Sequence, residues 1–174
     1  MKKPPGGDGG PVFGEVLDFM RLIWALDHGL QSLSKRMQSS LGLTGPQRVA
    51  LRVLGRGPGM SAGALAGILR LHPSTITGIL QRLEGRGLVR RAIDPADRRR
   101  SRLELTARGR RLDVPTPRTV EAVVGGILSR YPKAEARAAA GLLEAVAAGL
   151  LAAAARPPQP GLKRAPFRRH LNRA

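Results

Sequence analysis

Three observations in the sequence predict a mostly α-helical fold with one small β-hairpin, an α+β arrangement. Apolar residues recur at helical spacing through most of the 174 residues. One short stretch, Arg102-Leu103-Glu104-Leu105, instead alternates charge with leucine, as a half-buried strand does. Residues 60–106 join the two patterns: helix, turn, helix, then a hairpin whose tip carries consecutive arginines.

Residues 1–12 are rich in Gly, Pro and Lys and read as a disordered N-terminus. From Phe13 to Leu41, Val16, Met20, Ile23, Trp24, Leu30, Leu33, Met37 and Leu41 mark one face of a helix, with Asp18, Arg21, Gln31, Lys35 and Gln38 on the other. At a rise of about 1.5 Å per residue this helix spans about 40 Å, too long to bury against a small domain alone. Part of its stripe therefore needs another partner. Gly42 closes it. Thr44-Gly45-Pro46-Gln47 fits a capping box, in which the Thr hydroxyl and the Gln amide satisfy free N–H groups reciprocally. The helix it opens carries Val49, Leu51, Val53 and Leu54 and stops at Gly55–Gly57.

Ser61 caps the next helix, which runs to Arg70 with Leu65, Ile68 and Leu69 as its core face. Gly63 and Gly67 either allow close packing or weaken it by up to ~1 kcal/mol each relative to Ala. Pro73 suits the first turn of the following helix, where its missing N–H costs nothing, and Gly87 suits a left-handed stop. Ile76, Ile79, Leu80 and Leu83 form one stripe of that helix. Ser74, Thr77, Gly78, Gln81 and Gly85 lie opposite, flanked by Thr75 and Arg82. The hairpin turns at Asp94-Pro95. Thr106 caps a helix from Ala107 that is interrupted at Val114-Pro115-Thr116-Pro117. Thr116 as cap and Pro117 at the first position restart it, with Val120, Val123, Val124, Ile127, Leu128 and Tyr131 as its apolar face. Pro132 separates a last, Ala-rich helix over Lys133 to Ala155.

A formal charge of +18 predicts attraction to polyanions. Residues 70–111 hold 12 Arg against 4 acids, and residues 156–174 hold 6 Lys and Arg with no acid, so these two segments supply 14 of the 18 excess charges. A GC-rich genome would raise Arg content generally; it does not account for the clustering. Absent cysteines exclude disulfides and Cys-bound metal. His28, His72 and His170 have no ligand spacing, and no acids pair near a nucleophile, so an enzyme, a metal site and a cofactor are not expected. Residues 1–10 lack the apolar core of a signal peptide, which points to a cytoplasmic protein. Ala138 to Ala155 is long and nearly uncharged, but Glu144 near its middle would cost about 2.5–3.5 kcal/mol in a bilayer, so it reads as a packing helix without a membrane partner.

A helix-turn-helix places its second helix in the major groove of double-stranded DNA, N-terminal residues toward base edges. Ser74, Thr75, Thr77, Gln81 and Arg82 offer hydroxyls, an amide that pairs adenine and a guanidinium that pairs guanine or phosphate. Glycine at 78 and 85 would let the backbones approach. The alternative is a solvated polar face. Arg98, Arg99 and Arg100 at a hairpin tip suit a minor groove, with Asp97 orienting one guanidinium; the alternative is a solvated charge run.

Leu43-Thr44-Gly45-Pro46-Gln47, Pro73-Ser74-Thr75-Ile76-Thr77, Arg82-Leu83-Glu84-Gly85-Arg86-Gly87-Leu88-Val89-Arg90-Arg91, Asp94-Pro95-Ala96-Asp97-Arg98-Arg99 and Leu103-Glu104-Leu105-Thr106-Ala107-Arg108-Gly109 follow one another at set spacing. This set, over about residues 14–153, resembles the MarR family of bacterial transcription regulators. The resemblance implies a winged helix-turn-helix domain over 13–155. Within it, 44–106 would be the DNA-binding lobe, and 13–41 and 107–155 would supply N- and C-terminal dimerisation helices. It further implies a sequence-specific repressor that binds a pseudo-palindromic operator as a homodimer, with half-sites ~10 bp apart. Many members release DNA on binding a small aromatic or phenolic ligand in a cleft beside the dimer helices. Arg21, Trp24 and His28 are the candidate pocket residues here, although Trp24 also fits a plain core position and His28 a structural one. Missing cysteine removes thiol sensing. Two features depart from the family pattern. Pro115 and Pro117 break a helix that members usually run through. The basic tail 156–174, expected to be disordered, either adds nonspecific affinity by counterion release or is a solvated appendage. The rival function is an architectural or nonspecific DNA-binding protein of the same fold without ligand control. A protein-binding module using the Ala-rich helix is a further alternative.

Overall fold

Side-chain caps open five of the seven helices among the described residues. The structure is a computed structural model, and residues 14–93 and 101–156 are described. The chain builds α1 (Glu15–Leu41), α2 (Gly45–Arg56), α3 (Ala62–Leu69), α4 (Pro73–Gly85), β1 (Val89–Ile93), β2 (Ser101–Leu105), α5 (Ala107–Leu112), α6 (Val120–Leu128) and α7 (Lys133–Ala155). The expected capping box opens α2: Thr44 Oγ1 accepts from the Gln47 N–H, and Gln47 Oε1 accepts from the Thr44 N–H at 3.0 Å. Ser61 caps α3 through the Ala64 N–H, and Thr106 caps α5 through the Gly109 N–H. Gly42, at φ 68°, closes α1 in the left-handed conformation. Gly87, at φ 64°, turns the chain out of α4 toward β1.

The core lies between α2, α3, α4 and the hairpin. Leu43, Leu51, Leu54, Leu65, Leu80 and Leu83 are fully buried, and Ile76, Ile79, Leu88, Leu103 and Leu105 join them. Each such side chain removed from water contributes about 1.5–3 kcal/mol. β1 and β2 pair antiparallel with Val89 opposite Leu105 and Arg91 opposite Leu103. On its other side Leu103 pairs with the segment before α3. Its N–H donates to Met60 O at 2.9 Å, and its carbonyl accepts from the Gly59 N–H at 3.0 Å.

The break after α5 differs from expectation. Thr116 and Pro117 do not open the next helix; α6 begins at Val120, capped by Thr119, whose Oγ1 accepts from the Ala122 N–H at 3.3 Å. Arg118 stands at φ 60°, which no α-helix tolerates, so the restart is delayed by about one turn. Thr116 serves elsewhere, accepting from Arg48 Nη2 at 3.2 Å. Arg48, on α2, is buried to 1 % exposure. Its guanidinium also donates to Leu112 O, to Val114 O at 2.6 Å and to Glu121 Oε1 at 2.7 Å. It thus supplies a cation to the carbonyl end of α5 and binds an acid in the first turn of α6, favourable positions for both charges. Arg52 Nη1 reaches Asp113 Oδ1 at 2.5 Å one turn further along α2.

Partial burial opposes the charge on Glu121. The Arg48 side chain, its own backbone N–H and Thr119 outweigh burial by hydrogen bonding, with the Arg48 charge adding to them, and hold its pKa below the ordinary glutamate range. A depressed carboxylate pKa contributes stability above the unfolded value, near ~4.3, and that contribution is lost as pH falls through the lower folded value.

The described residues fall into two compact units divided between Ile127 and Leu128. Within the first, the long α1 buries only Met37. In the second, α7 has no buried residue, and by length and composition alone it is long and apolar enough to cross a membrane.

At Gly109 the start of α5 presses against the end of the α4–β1 turn. A Cβ there would collide with the Leu88 carbonyl oxygen. Gly109→Ala is expected to lower unfolding free energy by about 1–3 kcal/mol, measured by urea denaturation. A midpoint equal to that of the parent protein would show that this close approach can open at no cost.

Candidate nucleic-acid interface

Burial decides which face of α4 is left outward. Ile76, Ile79, Leu80 and Leu83 point into the core, so Ser74, Thr75, Thr77, Gln81 and Arg82 are exposed and Gly78 is half-buried between them. The helix entrance is capped by His72, a role not anticipated from the sequence. His72 Nδ1 accepts from the Ser74 N–H at 3.3 Å and lies 2.7 Å from Ser74 Oγ. Nδ1 can accept there only in its unprotonated form. Thr77 Oγ1 donates back to Pro73 O at 3.0 Å. The Thr77 hydroxyl is therefore engaged as a donor within its own helix, and the Ser74 hydroxyl is engaged with the cap. A Cβ on Gly78 or Gly85 would meet nothing within 4 Å, so the surface over those glycines is open.

The hairpin stands beside α4 and is joined to it by charge. Arg91 Nε donates to Glu84 Oε1 of α4 at 2.8 Å, and Arg90 donates to Glu104 Oε2 across the two strands at 2.7 and 3.1 Å. Both pairs are partly exposed, so each contributes about 0–1 kcal/mol; the first ties β1 to α4 and the second ties β1 to β2. They also neutralise two arginines at the base of the hairpin. The tip residues Asp97, Arg98, Arg99 and Arg100 lie outside the described residues.

Arg21, Trp24 and His28 are exposed on α1, Trp24 to 62 %. Arg21 lies 3.4 Å from Asp18. These three residues do not line a cavity of about 530 Å³ beside the middle of α1, although Asp27, next to His28, does. Leu30, Ser34, Pro46, Val49, Leu71 and Val120 form most of its wall. Arg48 beside it also went unnoticed in the sequence. Its signal was a guanidinium one turn before Leu51 on a face that is otherwise buried.

A helix-turn-helix followed by a two-stranded hairpin, with an outward polar face on the second helix, defines a winged-helix DNA-binding protein. The model of the MarR family matches residues 43–101. The HTH-type transcriptional repressor Rv2887 of Mycobacterium tuberculosis (strain ATCC 25618 / H37Rv) is 35% identical over 106 residues, 61% of this chain and 76% of that protein. The transcriptional regulator HosA of Escherichia coli O111:H- is 40% identical over 83 residues, 47% of this chain and 62% of its own. Among solved structures, PcaV from Streptomyces coelicolor in complex with its natural ligand superposes with a TM-score of 0.62 at 27% identity, covering 79% of this chain and 97% of that one. The chain belongs to the MarR family; it is a DNA-binding transcriptional regulator and not an enzyme.

Gly78→Ala is expected to stabilise α4 by up to ~1 kcal/mol while weakening duplex binding, because the added methyl group stands where a backbone would approach. Thermal unfolding and fluorescence anisotropy on the same variant check this. Stabilisation with unchanged affinity would mean the face above Gly78 does not touch DNA.

Proposed function

We propose that the protein is a homodimeric repressor that reads a pseudo-palindromic operator with α4 and the hairpin tip and is released by a small aromatic or phenolic ligand. The carrying observation is the outward face of α4, polar and open at Gly78 and Gly85 beside an arginine-rich hairpin. In this reading Thr75, Gln81 and Arg82 contact base edges or phosphates, with Ser74 and Thr77 as acceptors. Arg98, Arg99 and Arg100 enter the minor groove, with Asp97 orienting one of them. The similar mycobacterial protein is named a repressor, which supports that direction of control. In this reading the protein acts on the chromosome, in the cytoplasm and associated with the nucleoid.

Homodimerisation is supported by apolar surface that is exposed among the described residues. Val16, Leu22 and Trp24 on α1 are 62–72 % exposed, and Val123, Val124 and Ile127 on α6 are about half exposed. Patches of this kind mark an interface. Release by a ligand is supported by the apolar-walled cavity between α1, α2 and the start of α6. In this reading the pocket lies at Leu30, Val49, Leu71 and Val120, with Arg21, Trp24 and His28 outside its wall.

The charge of +18 favours the second reading, a nonspecific DNA-binding protein of the same fold. Selection of bound duplexes from a random pool, followed by titration at fixed salt, separates the two. A preference of about 10³ or more over random duplex supports the regulator, and a ratio near unity the nonspecific binder. With the selected duplex, Arg98→Ala combined with Arg99→Ala is expected to flatten the dependence of log K on log salt by about 0.9 for each phosphate left without its arginine. An unchanged slope would remove the hairpin tip from the interface. Gln81→Ala is expected to change the selected sequence more than the total affinity.

A further inference from the structure

A guanidinium at full burial is costly unless its donors are used, and Arg48 turns them to one mechanical task. Nε donates to Glu121 Oε1 at 2.7 Å, Nη1 to Leu112 O, and Nη2 to Val114 O at 2.6 Å and Thr116 Oγ1 at 3.2 Å. The acceptors lie on both sides of the helix break: the end of α5, the Pro-flanked link and the first turn of α6. Nothing in that link is regular, since Pro115, Pro117 and the left-handed Arg118 prevent helix from running through. Direction across the break is therefore set from outside the link, by α2.

α2 is in turn fixed to α1. The Gly45 N–H donates to Ser34 Oγ at 2.8 Å, and a Cβ on Gly45 would lie 3.8 Å from Val120 Cγ2. The reading helix α4 shares the leucine core with α2. One planar group thus joins the element that positions α4 to the element that carries the apolar face of α6. We propose that Arg48 is a positioning residue for two-site DNA binding: by tying α6 to α2 across the broken helix, it fixes the angle between the reading lobe and the dimer-side helix, and hence the separation of two reading heads. This rests on the homodimeric, pseudo-palindromic reading given above. Lysine cannot replace it, because an ammonium lacks the rigid fork that spans two carbonyls and a carboxylate together.

The test uses the full chain and the duplex recovered by selection, intact or with one half-site scrambled. The ratio of the two affinities reports the fit between the heads; damage confined to the lobe lowers both affinities alike. Glu121→Ala, at a partly exposed position, is expected to cut the ratio about five-fold or more and to broaden the tolerated spacing between half-sites. Glu121→Gln, whose amide oxygen still accepts from Arg48 Nε, is expected to restore most of it. Arg48→Lys is expected to behave as Glu121→Ala if it folds, and circular dichroism shows whether it does. A ratio unchanged in Glu121→Ala, or reduced equally in Glu121→Gln, overturns the role of Arg48. A parent protein that binds both duplexes equally overturns the two-site reading itself, and this inference with it.

Discussion

The whole outward face of α4 depends on the burial of one stripe. Ile76, Ile79, Leu80 and Leu83 enter a core shared with α2, α3 and the hairpin, and that commitment turns the remaining side of α4 outward. Four apolar side chains contribute roughly 6–12 kcal/mol, far more than any rotation of the helix could recover through polar contacts. The outward side chains of α4 are thus held in place by groups on its opposite, buried side.

The strength of that core explains how the interface can be built from weak parts. His72 caps α4 with a ring nitrogen, Thr77 turns its hydroxyl back on the helix, and Gly78 and Gly85 leave open surface. The Thr77 back-bond and the two glycines do not favour a helix in isolation. Electrostatics show a similar division of labour. Arg90 and Arg91 are tied to Glu104 and Glu84 at the base of the hairpin, so part of the local positive charge organises the protein itself. A plain count of arginines overstates the charge presented to a duplex.

Helices and caps were legible in the sequence because their causes are local. Thr44, Ser61 and Thr106 cap where their spacing from an apolar run said they would, and Gly42 and Gly87 take the left-handed turns. The outward face of α4 was legible for the same reason, since a helical period alone separates Ile76 from Thr77. The restart after the prolines was not. Thr116 and Pro117 make a sound local start signal, but Arg48, 68 residues away from Thr116, takes the threonine as an acceptor, and Arg118 adopts a backbone that no pattern announces. The wall of the cavity was likewise missed, because Leu30, Val49 and Val120 come together only when three helices meet. Arg21, Trp24 and His28 stood out chemically in the sequence, yet none of them forms part of that wall.

The pairing of Leu103 with Gly59 and Met60 bears on the solution behaviour of a small sheet. Two strands alone would present ladder groups on both flanks, a template on which a neighbouring chain could add a strand. Here the outer flank of β2 is already occupied by main chain from before α3. At Leu103 that flank is shielded from edge-to-edge pairing, which leaves the outer edge of β1 as the side on which a neighbouring strand could add.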